Sequence, residues 1–280
     1  MMKTIAVTGA TGQFGAIALA KLQEKGAKPI ALVRNPAKIS GAEARAFDYS
    51  KVEGQVEALQ GVDTLLLVSS SEVGQREVQH KNVIESAKKA GVKHIIYTSL
   101  LGATNEITVG LLAGEHVATE QALKESGLTY TILRNGWYTE NYTASVQPAL
   151  ALNAFYGSAK DGKIASALRA DYAEAAANVA LGEGHENKTY ELAGDNAYTL
   201  TELAAEISKQ SGKEIPYVDI PAADYESALL KAGLPEGLAH LLAQADVDAS
   251  KGALFSTDKT LSRLLGRPTQ DLAVAVKAAL

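Results

Sequence analysis

A glycine-rich loop near the N-terminus carries the strongest chemical signal in the sequence. The segment Gly9-Ala10-Thr11-Gly12-Gln13-Phe14-Gly15 follows an apolar, β-branched run and precedes a helical pattern. Three glycines at this spacing allow a tight turn, a close approach of the backbone to a pyrophosphate, and tight helix–strand packing. The helix N-terminus offers free amides and a partial positive charge to the phosphates. The loop therefore predicts a dinucleotide site, the alternative being a glycine-rich turn without a ligand.

The end of the second predicted strand distinguishes between the two nicotinamide dinucleotides. An NAD site usually places an Asp or Glu there, roughly 20 residues after the loop, on the ribose 2′-hydroxyl. This chain instead reads Val33-Arg34-Asn35-Pro36, with no acid. Because a guanidinium binds phosphate through two parallel hydrogen bonds, Arg34 favours a 2′-phosphate and hence NADPH. The alternative is that Arg34 is a solvated surface side chain.

Three serines, Ser69, Ser70 and Ser71, end the fourth predicted strand. Ligands of open α/β sheets bind beyond the carboxyl ends of the strands, so these small hydroxyl residues are candidates for contact with the cofactor. They are alternatively a turn that caps the next helix. Asp48 and Tyr49, after the third strand, either border the adenine or form an ordinary turn.

The elements that position these residues alternate between short β-branched runs and amphipathic stretches, as βαβ units do. The predicted strands are Thr4–Thr8, Pro29–Val33, Ala44–Asp48, Thr64–Ser69, His94–Ser99 and Thr129–Arg134, and the predicted helices are Gly15–Glu24, Val52–Gln60, Glu77–Ala90 and Gly114–Glu125. This order predicts an α/β fold with a Rossmann-type, doubly wound parallel sheet.

The regular alternation of predicted strands and helices ends at about Asn135. We expect short strands at Ala154–Gly157, Lys163–Ala165, Lys188–Leu192 and Ile215–Ile220, a helix at Asp171–Ala180, and a further helix that begins at a capping box of Thr199 and Glu202 and runs through Ser208. The predicted domains are an NADP-binding domain at 1–150, completed by segments within 155–195, and a smaller, mostly helical substrate-binding lobe at 196–280.

Composition excludes several classes of function. The 280 residues include no cysteine, which excludes disulfides, thiolate catalysis and cysteine-ligated metals. The histidines lack metal-ligand spacing, so no metal site is expected. A net charge of -5 without a basic cluster argues against nucleic acid and anionic membranes. No apolar run approaches about 20 residues and no signal-peptide pattern is present, so a cytoplasmic protein is expected. A homo-oligomer is compatible with this composition.

Together these motifs resemble the NmrA-like branch of the atypical short-chain dehydrogenases, and within it the bacterial type 2 quinone oxidoreductases, with triphenylmethane dye reductases nearby. The segments most specific to this resemblance are Ser69-Ser70-Ser71-Glu72-Val73-Gly74-Gln75-Arg76 and Arg134-Asn135-Gly136-Trp137-Tyr138-Thr139-Glu140-Asn141. The resemblance covers essentially the whole chain. It implies that the glycine loop, Arg34, Ser69–Ser71 and Asn135–Glu140 hold NADPH, with Asn135–Glu140 passing near the nicotinamide.

Short-chain dehydrogenases usually reduce carbonyls with a Tyr-x-x-x-Lys pair on the helix after the fifth strand. This chain has Glu115-His116-Val117-Ala118-Thr119-Glu120 there, and we interpret its downstream Tyr156–Lys160 match as a coincidence. The absence fits a quinone acceptor, whose own electron affinity assists hydride transfer and whose product is a stabilised anion. The protein then needs mainly to hold the two rings together in a dry cleft.

Three polar residues are candidates to assist the chemistry. Asn141 or Tyr138 can hydrogen-bond the quinone oxygen, and His116 can donate a proton if its pKa is near 6.5. Each has a structural alternative: a cap or turn for Asn141, a pocket wall for Tyr138, and an ordinary helix position for His116. Trp137 fits the core better than a substrate platform.

Three functions remain open from the sequence. The first is an NADPH-dependent quinone oxidoreductase. The second is a reductase with the same cofactor but another electrophile, such as a dye, an imine or an enone. The third is an NADP-sensing regulator without turnover, which the missing Tyr-x-x-x-Lys pair fits equally well.

Overall fold

A computed structural model describes residues 3–280 of the chain. Its elements in chain order are β1 (Ile5–Thr8), α1 (Gln13–Glu24), β2 (Ile30–Val33), β3 (Glu43–Ala46), α2 (Gln55–Ala58), β4 (Thr64–Leu67), α3 (Arg76–Ala90), β5 (His94–Leu100), α4 (Gly110–Glu125), β6 (Thr129–Asn135), α5 (Glu140–Thr143), α6 (Val146–Leu152), β7 (Phe155–Gly157), α7 (Arg169–Leu181), β8 (Lys188–Leu192), α8 (Leu200–Ser211), β9 (Tyr217–Asp219), α9 (Ala222–Lys231), α10 (Glu236–Ser250), α11 (Thr260–Leu265) and α12 (Leu272–Ala279).

Seven parallel strands form the main sheet in the order β3-β2-β1-β4-β5-β6-β8. The first strand, β1, lies in the middle of the sheet. Strands β2 and β3 are added on one side of it, and β4, β5, β6 and β8 are added on the other side. The connections after β1 and β4 therefore run in opposite directions, which opens a crevice beyond the carboxyl ends of these two strands. The prediction of a doubly wound parallel sheet is confirmed.

The sheet is buried on both faces. Side chains alternate between the faces of a strand, so Ile5 and Val7 pack towards α1 and α7, while Ala6 packs with the residues of α2 and α3. Full burial of a Leu, Ile or Val side chain contributes about 1.5–3 kcal/mol relative to exposure. This two-sided core gives the strand ends, and the loops beyond them, a rigid support.

A second layer lies over one end of the sheet. Strands β7 and β9 pair in parallel in a separate two-stranded sheet, and the surrounding helices share an apolar cluster with the N-terminal end of α4. The predicted capping box is confirmed at the start of α8: the Glu202 amide donates to Thr199 Oγ1, and the Thr199 amide donates to Glu202 Oε2. Among residues 3–280 no helix has the length and apolarity needed to cross a membrane.

Three predicted elements differ from the structure. Lys163–Ala165 is not a strand, since only Ile164 forms an isolated antiparallel bridge, with Tyr198. The helix predicted at Val52–Gln60 shrinks to α2, because Gly54 adopts a left-handed φ of 83° directly before it. Helix α4 begins at Gly110, four residues earlier than predicted, where its first amide donates to Asp248 on α10.

Candidate active site

A cavity of about 630 Å³ lies beyond the carboxyl ends of the main sheet. Its walls come from the glycine loop, from the carboxyl end of β5, from the segments that follow β2, β3, β4 and β6, and from α4 and α10. Both layers of the fold thus enclose one elongated space.

The glycine loop turns sharply between β1 and α1. Gly9 has a φ of 59°, and its carbonyl accepts a hydrogen bond of 2.8 Å from the Gly12 amide. A Cβ on Gly15 would lie 2.2 Å from the Gly9 oxygen, so only glycine permits this contact of helix and loop. Helix α1 begins without a side-chain cap and without an acidic residue in its first turn, which leaves its amides available to an anion.

Most of the loop faces the cavity. Gly9, Thr11, Gly12, Gln13, Phe14 and Gly15 line it. Ala10 does not, because its methyl group packs in the hydrophobic core below the loop. Ala10 can therefore contact a cofactor only through its backbone atoms.

The segments after β2 and β3 form one end of the cavity. Arg34 is exposed and lines the cavity directly after β2, with Asp48 and Tyr49 beside it after β3. Asn35 does not compete for this space, because its side chain accepts a hydrogen bond from the Ala37 amide. This geometry suits a guanidinium facing a 2′-phosphate.

Ser69, Ser70 and Ser71 all line the cavity after β4. They do not cap the following helix, since α3 begins six residues after Ser70 and its N-cap is Gln75. The Ser70 hydroxyl accepts a hydrogen bond from the Glu72 amide, so it is engaged within the turn. Ser69 Oγ is buried and has no partner among the described residues.

The segment after β6 divides into two parts. Asn135, Gly136, Trp137 and Tyr138 line the cavity, whereas Thr139 and Glu140 do not. The Thr139 hydroxyl is hydrogen-bonded to Ser166 Oγ at 2.8 Å. The Glu140 carboxylate accepts from the amide of Arg169, and thereby fixes the start of α7.

Unpartnered polar atoms line the walls. Both amide atoms of Asn135, Ser69 Oγ and Arg76 Nη1 are buried and lack a hydrogen-bond partner among residues 3–280. Buried polar groups are rarely left without a partner in native proteins. These residues therefore fit a polar ligand such as a dinucleotide, whose phosphates, ribose hydroxyls and carboxamide offer complementary donors and acceptors.

His116 lies on α4 and lines the cavity, as the sequence suggested, but its acid–base character differs. Burial, reinforced by the positive charge of Arg76, lowers the pKa of His116 to about 3. The expectation of a pKa near 6.5 is wrong, because the sequence did not reveal that the imidazole is almost completely buried. His116 is therefore neutral at physiological pH.

Tyr138 and Asn141 share the cavity wall with Trp137. The Tyr138 ring lies between Phe14 and Tyr172, with centroid distances of 6.3 and 5.5 Å. The Arg169 guanidinium lies 4.7 Å from its centroid. Asn141 is half-buried at the start of α5. Trp137 belongs to the apolar cluster of the second layer and also lines the cavity, so it is both a core residue and part of the cavity wall.

Sequence reasoning missed three contributions to the wall. Arg76 reaches the cavity from the first residue of α3 and donates through Nε to the Ser70 carbonyl at 2.6 Å. Arg169 reaches it from the first residue of α7. Leu238, Leu241 and Leu242 close it from α10. Only Arg76 had a local signal, since it ends the Ser69–Arg76 motif.

No metal centre is apparent in the described part of the chain, where no group of three or more His, Asp or Glu residues could hold an ion. The Tyr156–Lys160 match lies apart from the cavity: Tyr156 is on β7, and Lys160 is beside β9. Among residues 3–280 no lysine lines the cavity.

A doubly wound sheet with a glycine loop at its switch point defines a dinucleotide-binding protein of the Rossmann class. Comparison with known proteins narrows this class. The model of the NAD(P)H-binding family matches residues 9–181, and the chain belongs to that family.

Three relatives extend the comparison. Quinone oxidoreductase 2 of Escherichia coli (strain K12) is 55% identical over 97% of both chains. Its crystal structure with NADPH has a TM-score of 0.93 and covers 98% of this chain and 99% of that one. The Citrobacter sp. triphenylmethane reductase complexed with NADP(H) is 36% identical, with a TM-score of 0.92 over 99% and 100% of the two chains. An NmrA-like oxidoreductase of Aspergillus flavus is 31% identical over 81% and 76%. The resemblance to the NmrA-like branch is confirmed.

Proposed function

We propose that this protein is an NADPH-dependent quinone oxidoreductase that reduces small quinones to hydroquinones. The observation that carries the proposal is one cavity that joins the glycine loop and Arg34 to an apolar end closed by α10. Identity of 55% over nearly the whole chain to a quinone oxidoreductase supports the same conclusion.

The residues fall into a cofactor end and an acceptor end. The amides after Gly9 would hold the pyrophosphate, and Arg34 would pair with the 2′-phosphate. Ser69 and Asn135, with their unpartnered polar atoms, would hold the nicotinamide half. The bound cofactor supplies a hydride, so that NADPH, quinone and one proton give NADP⁺ and hydroquinone.

The acceptor end is apolar with few polar groups. Leu112 on α4 and the leucines of α10 line this end, where they would exclude water and contact a flat ring. Asn141, Tyr138 and His116 are the polar groups that can reach a quinone oxygen as it gains negative charge. With no lysine or charged imidazole at hand, the final proton on the hydroquinone oxygen is left to solvent.

A spectrophotometric assay tests the proposal. The purified protein is mixed with NADPH, and the decay of its absorbance is followed with and without 1,4-benzoquinone or a naphthoquinone. We expect oxidation only when the quinone is present, and faster with NADPH than with NADH. Binding of NADPH without turnover would instead support a redox sensor.

A second acceptor class has support from one relative. Because the Citrobacter enzyme is a triphenylmethane reductase, cationic dyes belong in the same assay. A ratio of kcat/KM for quinone over dye well above one is expected, and a ratio below one would assign the protein to the dye reductases.

A further inference from the structure

Four aromatic rings form a row beneath the cavity. Tyr49, His80, Tyr97 and His116 follow one another with centroid distances of 6.1, 5.4 and 5.9 Å. His80 and Tyr97 are fully buried, whereas Tyr49 and His116 end the row at the cavity wall. The row thus places the buried Tyr97 directly behind His116, which faces the space where the acceptor would bind.

The hydrogen bonds of His80 determine its protonation. Its Nε2 accepts from the Ser70 amide at 3.0 Å, so the ring hydrogen resides on Nδ1. That hydrogen is donated to Thr119 Oγ1 at 2.9 Å, and the Thr119 hydroxyl donates in turn to the Glu115 carbonyl. His80 is therefore a fixed, neutral ring that holds α4 against the sheet.

The Tyr97 hydroxyl lies 2.8 Å from His116 Nδ1, and the hydroxyls of Thr119 and Ser69 lie next to the same oxygen. Burial raises the pKa of Tyr97 and keeps the phenol protonated, whereas these two hydroxyls lower the pKa, as groups that donate to the phenol oxygen do. A phenol whose oxygen accepts from neighbouring hydroxyls directs its own hydrogen to His116 Nδ1. Nδ1 of His116 is then the bare nitrogen, and the ring hydrogen lies on Nε2.

We propose that Tyr97 is a positioning residue that holds His116 as a neutral imidazole with its Nε2–H available to the acceptor oxygen. This inference rests on the proposed function and specifies how the site stabilises charge. As the hydride adds with its two electrons, the quinone becomes a hydroquinone monoanion, and Nε2–H donates a hydrogen bond to the new oxyanion without losing its proton. Solvent then supplies the proton.

Electrostatics in the site agree with this role. Burial, reinforced by the positive charge of Arg76, lowers the pKa of His80 and of His116 to about 3. Glu115 is one residue before His116, and its carboxylate accepts from the amides of Gly74 and Arg76. A neutral donor is useful to a developing anion because it already has its hydrogen in place and needs no change in protonation.

Nitrogen-15 NMR of the imidazoles tests the tautomer directly in the full-length protein. His116→Gln assigns the His116 signals by their loss. We expect a pyridine-type Nδ1 and a pyrrole-type Nε2 that do not change between pH 5 and pH 8. A protonated Nδ1, or titration in this range, overturns the inference. This readout does not depend on turnover, so it separates the inference from the proposed function.

Kinetics of matched variants test the consequence. Tyr190→Phe is the control for Tyr97→Phe, because Tyr190 makes the same kind of bond, 2.9 Å to His185 Nδ1, far from the cavity. Tyr97→Phe should slow single-turnover oxidation of NADPH by quinone about tenfold, keep the Kd for NADPH, and mix the His116 tautomers. His116→Leu should slow it further, and His116→Gln, whose amide can donate, should restore part of the rate. Equal rates in Tyr97→Phe and Tyr190→Phe with an unmixed tautomer would refute the role.

Discussion

Arg134 on β6 and Glu120 on α4 form a two-pronged ion pair beneath the acceptor end of the cavity. Nε and Nη2 of Arg134 donate to the two carboxylate oxygens at 2.8 and 2.7 Å, and Ser99 donates to the same carboxylate. Glu120 lies one turn after His116 on α4, and Arg134 precedes Asn135 on β6. The pair therefore fixes the distance between the helix and the strand that carry candidate site residues.

Removing one charge of this pair should be costly. Glu120→Gln leaves the buried Arg134 guanidinium with one counter-charge, the partly exposed Glu191 at 2.7 Å. We therefore expect a loss of about 2–3 kcal/mol in the free energy of unfolding, measured by urea denaturation. Glu125→Gln, an exposed residue at the end of the same helix, is the control and should change stability by less than about 0.5 kcal/mol. Equal small losses would mean that the pair contributes little.

The sequence predicted most of the residues that line the cavity around the glycine loop, because the signals for them are local. A strand, three glycines and a helix lie within 20 residues, and the physical role of each glycine follows from its spacing. Arg34 and the serines lie at strand ends, so the parallel sheet brings them to the same edge. Hydrophobic periodicity and the positions of the glycines were sufficient to predict this edge of the sheet.

The acceptor half could not be predicted in the same way. The leucines of α10 lie about 100 residues after Tyr138. Hydrophobic periodicity predicts that a segment is helical, but it does not indicate which helix closes a cavity. The pKa of His116 depends on its burial against Tyr97 and on Arg76, which come from other elements. The strand expected at Lys163–Ala165 is absent, because the pairing of this segment with Tyr198 does not extend beyond a single bridge at Ile164, and local sequence does not indicate how far such pairing extends.

Arg34 should discriminate between the two dinucleotides. Arg34→Ala removes a charged, two-pronged contact to a 2′-phosphate, a group that NADH lacks. We expect the Kd for NADPH to rise about 10- to 100-fold and that for NADH to change less than about threefold, by calorimetry. Arg263→Ala, an exposed arginine on α11, is the control. Equal losses for both dinucleotides would contradict the assigned role.

Leu241 should contribute to the binding of the acceptor but not of the cofactor. It lies half-buried on α10 and lines the cavity at the apolar end. Leu241→Ala removes apolar contact area worth about 1–2 kcal/mol, so the KM for a naphthoquinone should rise roughly 5- to 30-fold. The Kd for NADPH should stay constant. Leu230→Ala, exposed on α9, is the matched control, and a similar KM effect there would show that the change is not local.

Asp246 should make the stability of the second layer depend on pH. Its carboxyl accepts from the Tyr142 hydroxyl at 2.9 Å and from the Ser158 amide at 2.8 Å, and burial raises its pKa from 3.8 to about 6. Because the folded state holds this proton more tightly than the unfolded state, the stabilisation is fully present below about pH 4. It falls as the pH rises through 6.

Between pH 5 and pH 7.5 this one group should reduce the free energy of unfolding by about 1.5 kcal/mol. The side chain of Asp246→Asn cannot ionise. The free energy of unfolding of the wild type, relative to that of this variant, should therefore be about 1.5 kcal/mol higher at pH 5 than at pH 7.5. Asp224→Asn, exposed on α9, should follow the wild-type profile. Urea denaturation at both pH values measures all three proteins, and parallel profiles for the wild type and Asp246→Asn would show that Asp246 does not titrate in this range.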